Sequence, residues 1–67
     1  MKEYGIIVDF DGYCGIAISK SSKEYLLLKK EFLYEDIKRG NLISFIPEIV
    51  KTPTESKLVA RFINKVQ

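Results

Sequence analysis

The stretch that decides the fold is GIIVDFDGYCG, residues 5–15. Its first half, with the preceding Tyr4, is rich in β-branched and aromatic residues and too short for a convincing helix, so residues 4–10 are predicted to form a strand. The dipeptide Asp11-Gly12 is a strong signal for a two-residue hairpin, because both central positions of a type I′ turn need a positive φ. Residues 13–19, YCGIAIS, then predict the returning strand of a β-hairpin.

The middle of the chain continues the strand pattern and then interrupts it. Residues 24–29, EYLLLK, predict a third strand, which completes a three-stranded meander. Residues 29–40 break this pattern and predict a helical turn or loop that ends at Gly40. β character resumes over residues 41–51, where Pro47 predicts a sheet edge or a bulge.

The last segment, residues 53–66, fits two structures. The sequence TPTE at residues 52–55 is a capping box with proline at the first helical position, and five apolar residues then share one helical face: Leu58, Val59, Phe62, Ile63 and Val66. A strand at 57–64 would instead help close the sheet into a barrel and remove its edges. The sequence leaves both the helix and the fifth strand open.

Composition limits the class of protein. The chain has 67 residues, of which 46% are hydrophobic and 30% charged, so we expect residues 1–67 to form one globular domain with a modest core. No apolar stretch approaches the roughly 18 residues of a membrane span, and Met1 precedes Lys2 and Glu3 rather than a signal-peptide hydrophobic region. We therefore expect a cytoplasmic protein with no membrane partner. The net charge of +2 permits nucleic-acid binding without indicating it.

Candidate catalytic and metal-binding residues are scarce. Cys14 is the single cysteine and the chain has no histidine, so it lacks the usual ligands of a zinc site and the partners of a cysteine nucleophile. The DxDG of residues 9–12 resembles the nucleophile loop of haloacid-dehalogenase-type phosphatases, but those enzymes need a large parallel α/β sheet that 67 residues do not supply. We expect a protein that is not an enzyme and holds no cofactor.

Several short motifs together resemble one family. Gly5, Ile7 and Phe10 are followed by CGIAI at residues 14–18, and later segments read EYLLLKKEFL, IKRGNLISFIPE and ARFI. These segments span nearly the whole chain and resemble the cold shock domain. The resemblance implies an all-β fold, a small five-stranded antiparallel Greek-key barrel of the OB type. The helical alternative for the last segment stays open beside it.

The resemblance also implies a function, the binding of single-stranded RNA or DNA. Cold shock domains stack bases on exposed aromatic side chains and guide the backbone with Lys and Arg. Here the predicted stacking residues are Phe10, Tyr13 and Tyr34, and the predicted phosphate contacts are Lys20, Lys29, Lys30, Lys38 and Arg61. The expected binding is micromolar or weaker, strongly salt-dependent and without sharp sequence preference.

Most of the aromatic residues that the family uses for stacking are replaced in this chain. Asp9 stands at the position of a tryptophan, Cys14 and Ile16 at two phenylalanines, and Leu26 and Leu28 at a phenylalanine and a histidine. Stacking contributes about 1–3 kcal/mol per base, so the loss of several platforms predicts the loss of most of the family's affinity.

An alternative function follows from apolar runs that do not alternate. Residues 6–8 of the first strand and 25–28 of the third are continuously apolar, which is typical of a sheet covered on both faces. If the outward positions keep Ile16, Leu26 and Leu28, they form an apolar patch suited to a protein partner or a homodimer.

Overall fold

The computed structural model, which describes residues 1–33 and 36–66, contains five strands that close into a barrel. The described residues hold one helical element, a 3₁₀ turn at Lys29–Glu31. The all-β fold class is therefore confirmed. The strands in chain order are β1 (Glu3–Phe10), β2 (Cys14–Ser19), β3 (Glu24–Leu28), β4 (Leu42–Lys51) and β5 (Ser56–Lys65).

The order of the strands around the barrel is β1-β2-β3-β5-β4, and β4 closes the ring on β1. Four of the neighbouring pairs are antiparallel, whereas β3 and β5 are parallel and pair at Leu26 and Val59. A closed ring with an odd number of strands cannot alternate direction all the way round. The prediction of an antiparallel barrel therefore fits β1–β2, β2–β3, β1–β4 and β4–β5 but not the β3–β5 pair.

The last segment is a strand, so the helical alternative for residues 53–66 is wrong and the fifth strand is confirmed. β5 pairs with β4 from Lys65 opposite Ile43 to Ser56 opposite Lys51. The residues that resembled a helix cap instead form the β4–β5 turn, where the Thr52 Oγ1 accepts the Glu55 N–H at 3.1 Å. Ladder hydrogen bonds and burial in the core outweigh the local preference for a helix.

The first hairpin forms as predicted, but its turn differs from the type I′ prediction. Gly12 has φ +99°, whereas Asp11 does not have a positive φ. Gly12 and Tyr13 are the central residues, because the Asp11 N–H donates to the Cys14 carbonyl oxygen at 3.1 Å. The Asp11 Oδ1 accepts the N–H groups of Tyr13 and Cys14 at 2.8 and 2.9 Å, so the carboxylate replaces a backbone acceptor in the turn.

A bulge on β1 and a proline on β4 shape the barrel. The β1–β2 register shifts between Ile7 and Asp9, which leaves Val8 as an extra, bulged residue on β1. Gly15 lies against this bulge, where a Cβ atom would overlap the Asp9 carbonyl oxygen, so only glycine allows the close approach. On β4, Pro47 lies beyond the four residues that pair with β1, which confirms the predicted edge position.

The core lies inside the barrel; buried residues alternate along β2 and β3, whereas β4 and β5 each bury neighbouring residues. Two aromatic contacts fill it: the Tyr25 and Phe45 rings lie 4.8 Å apart, and Phe10 stacks on Phe32 with ring centroids 5.0 Å apart. The connection from β3 to β4 passes close to β5, and Phe32 forms a parallel bridge with Ile63. The largest fully buried side chains are Phe45, Ile7, Leu27, Ile43 and Ile63.

Candidate functional site

Phe10, a predicted stacking residue, faces the interior. Strict alternation from the buried Ile7 would point Phe10 outward, but the bulge at Val8 places both Val8 and Asp9 on the outside and reverses the pattern. Phe10 consequently packs against the core and stacks on Phe32. The bulge thus leaves Phe10 partly buried, and its display for base stacking stays a prediction.

Arg61, a predicted phosphate contact, is held in ion pairs. Its guanidinium lies 2.7 Å from the Glu31 carboxylate and 2.6 Å from that of Glu48. The hydrogen bonds that Arg61 donates to Glu48 and Glu31 raise the pKa of Arg61, and the one that Glu31 accepts lowers the pKa of Glu31. The positive charge is balanced by two carboxylates, so Arg61 ties the 3₁₀ turn to β4 and β5 rather than offering a free cation.

Tyr13, Lys29 and Lys30 are the predicted binding residues that the structure brings together. Tyr13 is 78% exposed at the hairpin tip, and its carbonyl oxygen accepts the Lys29 N–H at 2.9 Å. The neighbouring carboxylate is unfavourable for phosphate, because hydrogen bonds from the backbone of Cys14 and Tyr13 lower the pKa of Asp11. The group therefore combines one exposed ring with two cations and one anion.

Lys20, another predicted nucleic-acid contact, lies apart from this group. Lys20 follows β2 at the end opposite Tyr13, and its Nζ lies 5.8 Å from the centroid of the Tyr4 ring. Lys38 is exposed in the connection to β4. Tyr34 lies outside the described residues. Lys20 and Tyr13 therefore lie at opposite ends of β2.

The outward-facing side of β1, β2 and β3 carries six aliphatic side chains. We call this surface the outer face, and its members are Ile6, Val8, Ile16, Ile18, Leu26 and Leu28. Ile16 pairs directly with Leu26, and Ile6 with Ile18, so the side chains form rows across the three strands. The structure thus brings together Ile16, Leu26 and Leu28, the three residues predicted for a protein contact.

Burial alternates along β2 and β3, and along β1 as far as Val8. The inward residues Ile7, Ala17 and Leu27 are 0–1% exposed, whereas Ile6 and Val8 are 46% and 47% exposed. The prediction that both faces of the sheet are covered is therefore wrong at Ile6 and Val8. On β2 and β3, the outward aliphatic side chains are half-buried.

The charges of the outer face are acidic. Asp9 pairs with Ile16, and Glu24 pairs with Ile18, which places one carboxylate beside each aliphatic row. Neither Lys nor Arg occurs within β1, β2 or β3. The outer face is consequently apolar, with the carboxylates of Asp9 and Glu24 at its margin and the Lys57 ammonium group across the β3–β5 groove from Glu24.

A groove of about 310 Å³ lies at the margin of the outer face, between β3 and β5. The two strands pair only at Leu26 and Val59, and they leave the groove open on the N-terminal side of this pair. Its lining is mainly apolar, with one carboxylate and one ammonium group at the rim. The lining residues are Ile16, Glu24, Tyr25, Leu26, Lys57 and Leu58.

Sequence analysis missed Phe62 as a surface feature. Phe62 is 62% exposed and has φ +52°, a left-handed conformation that is rare for a bulky side chain. Its N–H donates to the Glu31 carboxylate at 3.3 Å, which supports this backbone geometry. The sequence assigned Phe62 to the apolar face of a helix, and no local signal marks the irregularity that turns it outward.

Comparison with known proteins adds no relatives: no protein-family model matches this chain, and a search of curated proteins finds no match. The resemblance to the cold shock domain therefore stays a prediction. In residues 1–33 and 36–66, no helix is long and apolar enough to span a membrane. The same residues contain no group of three metal-ligating side chains of the His, Cys, Asp or Glu type.

Proposed function

We propose that this protein is a non-enzymatic binding module of the OB type. The spatial order β4-β1-β2-β3, with a long connection from β3 to β4, supports a Greek-key arrangement. The OB-fold is a five-stranded Greek-key barrel that binds its ligands on the β2–β3 face and neighbouring loops. In this chain that face is the centre of the outer face.

The proposed ligand is a segment of another protein, and the observation that carries the proposal is the chemistry of the outer face. Six aliphatic side chains lie where a nucleic-acid-binding barrel would display aromatic rings and cations. The adjacent charges, Asp9 and Glu24, repel phosphate and attract Lys or Arg. Exposed apolar patches of this kind mark protein interaction sites.

The size of the outer face favours a short segment over a second globular surface. Three strands spaced about 4.8 Å apart, with about 3.3 Å per residue, give a face of a few hundred Å² at most. A stable interface between two globular proteins buries about 800 Å² on each partner. We infer a partner segment with an apolar stripe flanked by basic residues.

A second candidate function, weak binding of single-stranded nucleic acid, is favoured by one observation. The backbone of Tyr13 is hydrogen-bonded to that of Lys29, so the exposed Tyr13 ring is on a residue next to the 3₁₀ turn that carries Lys29 and Lys30. One platform contributes about 1–3 kcal/mol per stacked base, which supports only weak binding. This function would depend strongly on salt.

A peptide-display selection tests the first proposal and separates it from the second. Random peptides displayed on phage are selected on the immobilised protein and counter-selected on the Asp9→Lys, Glu24→Lys variant. We expect peptides that combine apolar side chains with Lys or Arg and that bind the wild type at least about tenfold more tightly than the variant. Fluorescence anisotropy with labelled oligo(dT) and oligo(U) runs in parallel, with sedimentation to determine the oligomeric state.

The outcomes are distinct. Selection of basic, apolar peptides supports the protein-binding proposal. The protein-binding proposal would be contradicted if no peptide sequence is enriched while oligonucleotides bind. The nucleic-acid function would then be favoured if this binding weakens in Tyr13→Ala and in the Lys29→Glu, Lys30→Glu variant. A stable dimer that excludes the selected peptides would show that a second copy of the chain covers the outer face.

A further inference from the structure

The N-terminal part of β5 has an open edge. On one side, Ser56, Lys57 and Leu58 pair with Lys51, Val50 and Ile49 of β4. On the other side, β3 approaches β5 only at the Leu26–Val59 pair, and no described strand pairs with residues 56–58 there. An open edge presents unpaired backbone N–H and C=O groups, which are a template for another extended chain.

The groove between β3 and β5 runs along this open edge. Its apolar lining includes Ile16, Leu26 and Leu58. A preformed apolar cavity of about 150 Å³ already holds a benzene molecule, so about 310 Å³ accommodates one large apolar side chain. A backbone edge and a side-chain pocket are thus adjacent.

The rim of the groove carries opposite charges that do not neutralise each other. β3 and β5 are parallel and pair at Leu26 and Val59, so two residues earlier on each strand Glu24 lies across from Lys57. Among the described residues, the ion pairs of the barrel involve Arg61 and Lys65, and none joins Glu24 to Lys57. Both side chains are exposed and available to the charged groups of a ligand.

We propose that an extended peptide binds the seam between β3 and β5 by adding as a strand to the open edge of β5, with one apolar side chain in the groove. In strand addition, main-chain hydrogen bonds contribute affinity and a pocket for alternate side chains contributes specificity. The inference rests on the proposed protein-binding function and specifies the conformation of the partner segment. It places the segment at one margin of the outer face, near Glu24.

The test uses the peptide acetyl-Lys-Thr-Leu-Thr-Lys-amide, with the central leucine for the groove and threonine for strand preference. Two further peptides are N-methylated, one at the leucine and one at both threonines. Because successive N–H groups of a strand point to opposite sides, strand addition uses only one of these two sets. Binding is followed by amide chemical shifts of the ¹⁵N-labelled protein at up to about 1 mM peptide.

We expect the two N-methylated peptides to differ in their affinity for the protein. The parent peptide shifts the amides of residues 56–58 and of Leu26, one N-methylated peptide loses at least about tenfold in affinity, and the other retains it within about threefold. Lys57→Glu adds an attraction for the lysines of the peptide and tightens binding a few-fold at low salt. Lys51→Glu, a charge change on β4 across the same hairpin, is the matched control and has less effect.

Three results would overturn the inference. Equal binding by both N-methylated peptides would show apolar docking without strand pairing. Shifts confined to the outward positions of β1 and β2 would place the segment elsewhere on the outer face. The absence of shifts, in a protein that still binds display-selected peptides, would reject the seam alone and leave the proposed function standing; if the selected peptides also fail to bind, both are rejected.

Discussion

The two faces of the β1–β2–β3 sheet have the same kind of side chains but different surroundings. The inward Ile7, Ala17 and Leu27 are 0–1% exposed, whereas the outward Ile6 and Val8 are nearly half exposed. Packing inside the barrel requires the inward residues to be apolar. Nothing in the fold requires the same of the outward residues, and polar side chains there would be more soluble. The apolar outer face is therefore the basis of the proposed contact with a partner.

The largest expected change in unfolding free energy comes from substituting one of two neighbouring leucines on β3. Leu27→Ala removes a fully buried side chain and is expected to cost about 2–5 kcal/mol of unfolding free energy, a large share of the stability of a domain this small. Leu26→Ala, on the outer face, is expected to cost about 1 kcal/mol, because Leu26 is only half-buried. Urea unfolding monitored by circular dichroism measures both. An equal loss of unfolding free energy in the two variants would show that the inward and outward faces of β3 do not differ in burial.

Acid should weaken the barrel through Glu31. Arg61 holds the pKa of Glu31 below its ordinary value of 4.5, so the folded state binds a proton less readily than the unfolded state. This contribution to stability is complete above about pH 4.5 and is lost as the pH falls through the lower, folded-state pKa. Glu31→Gln should flatten the fall in stability over this range. The pH dependence of stability that remains in Glu31→Gln includes a contribution from Asp11, whose pKa is also lowered in the folded state.

A matched control for Glu31 is Glu55→Gln, which changes an exposed carboxylate in the β4–β5 turn. Thermal unfolding at a series of pH values from 3 to 7 compares the two variants with the wild type. If Glu31→Gln and Glu55→Gln have the same pH profile, the ion pair between Glu31 and Arg61 does not contribute to stability in solution.

Phe62 is an exposed apolar side chain outside the outer face, and its substitution is expected to change the unfolding free energy by a smaller amount. Its left-handed backbone is unfavourable for phenylalanine and acceptable for asparagine, so Phe62→Asn is expected to raise the unfolding free energy by about 0.5–1 kcal/mol. Phe62→Ala, which keeps the unfavourable backbone, is the control and is expected to be near neutral. A loss of stability in Phe62→Asn would mean that contacts of the ring outweigh the backbone strain.

Local features of the sequence were sufficient to predict the hairpin of β1 and β2, the third strand and the edge position of Pro47. The nature of β5 was not predictable locally, because its capping box and apolar spacing fit a helix, and only pairing with β4 decides for a strand. The orientation of Phe10 depended on a bulge two residues away. The role of Arg61 depended on Glu31, which lies 30 positions earlier in the chain. Sequence periodicity carries no information on such distant pairs.

The measurement that tests the central claim most directly uses the Ile6→Thr, Val8→Thr variant. Threonine keeps the strand preference and both positions are half exposed, so the unfolding free energy is expected to change by less than about 1 kcal/mol. The affinity for a display-selected peptide that contacts β1 and β2 as well as the β3–β5 seam is expected to fall by about tenfold or more, whereas Ile49→Thr, an exposed position on β4, leaves it unchanged. Unchanged affinity in a folded Ile6→Thr, Val8→Thr variant would contradict the assignment of the outer face as the protein-binding surface.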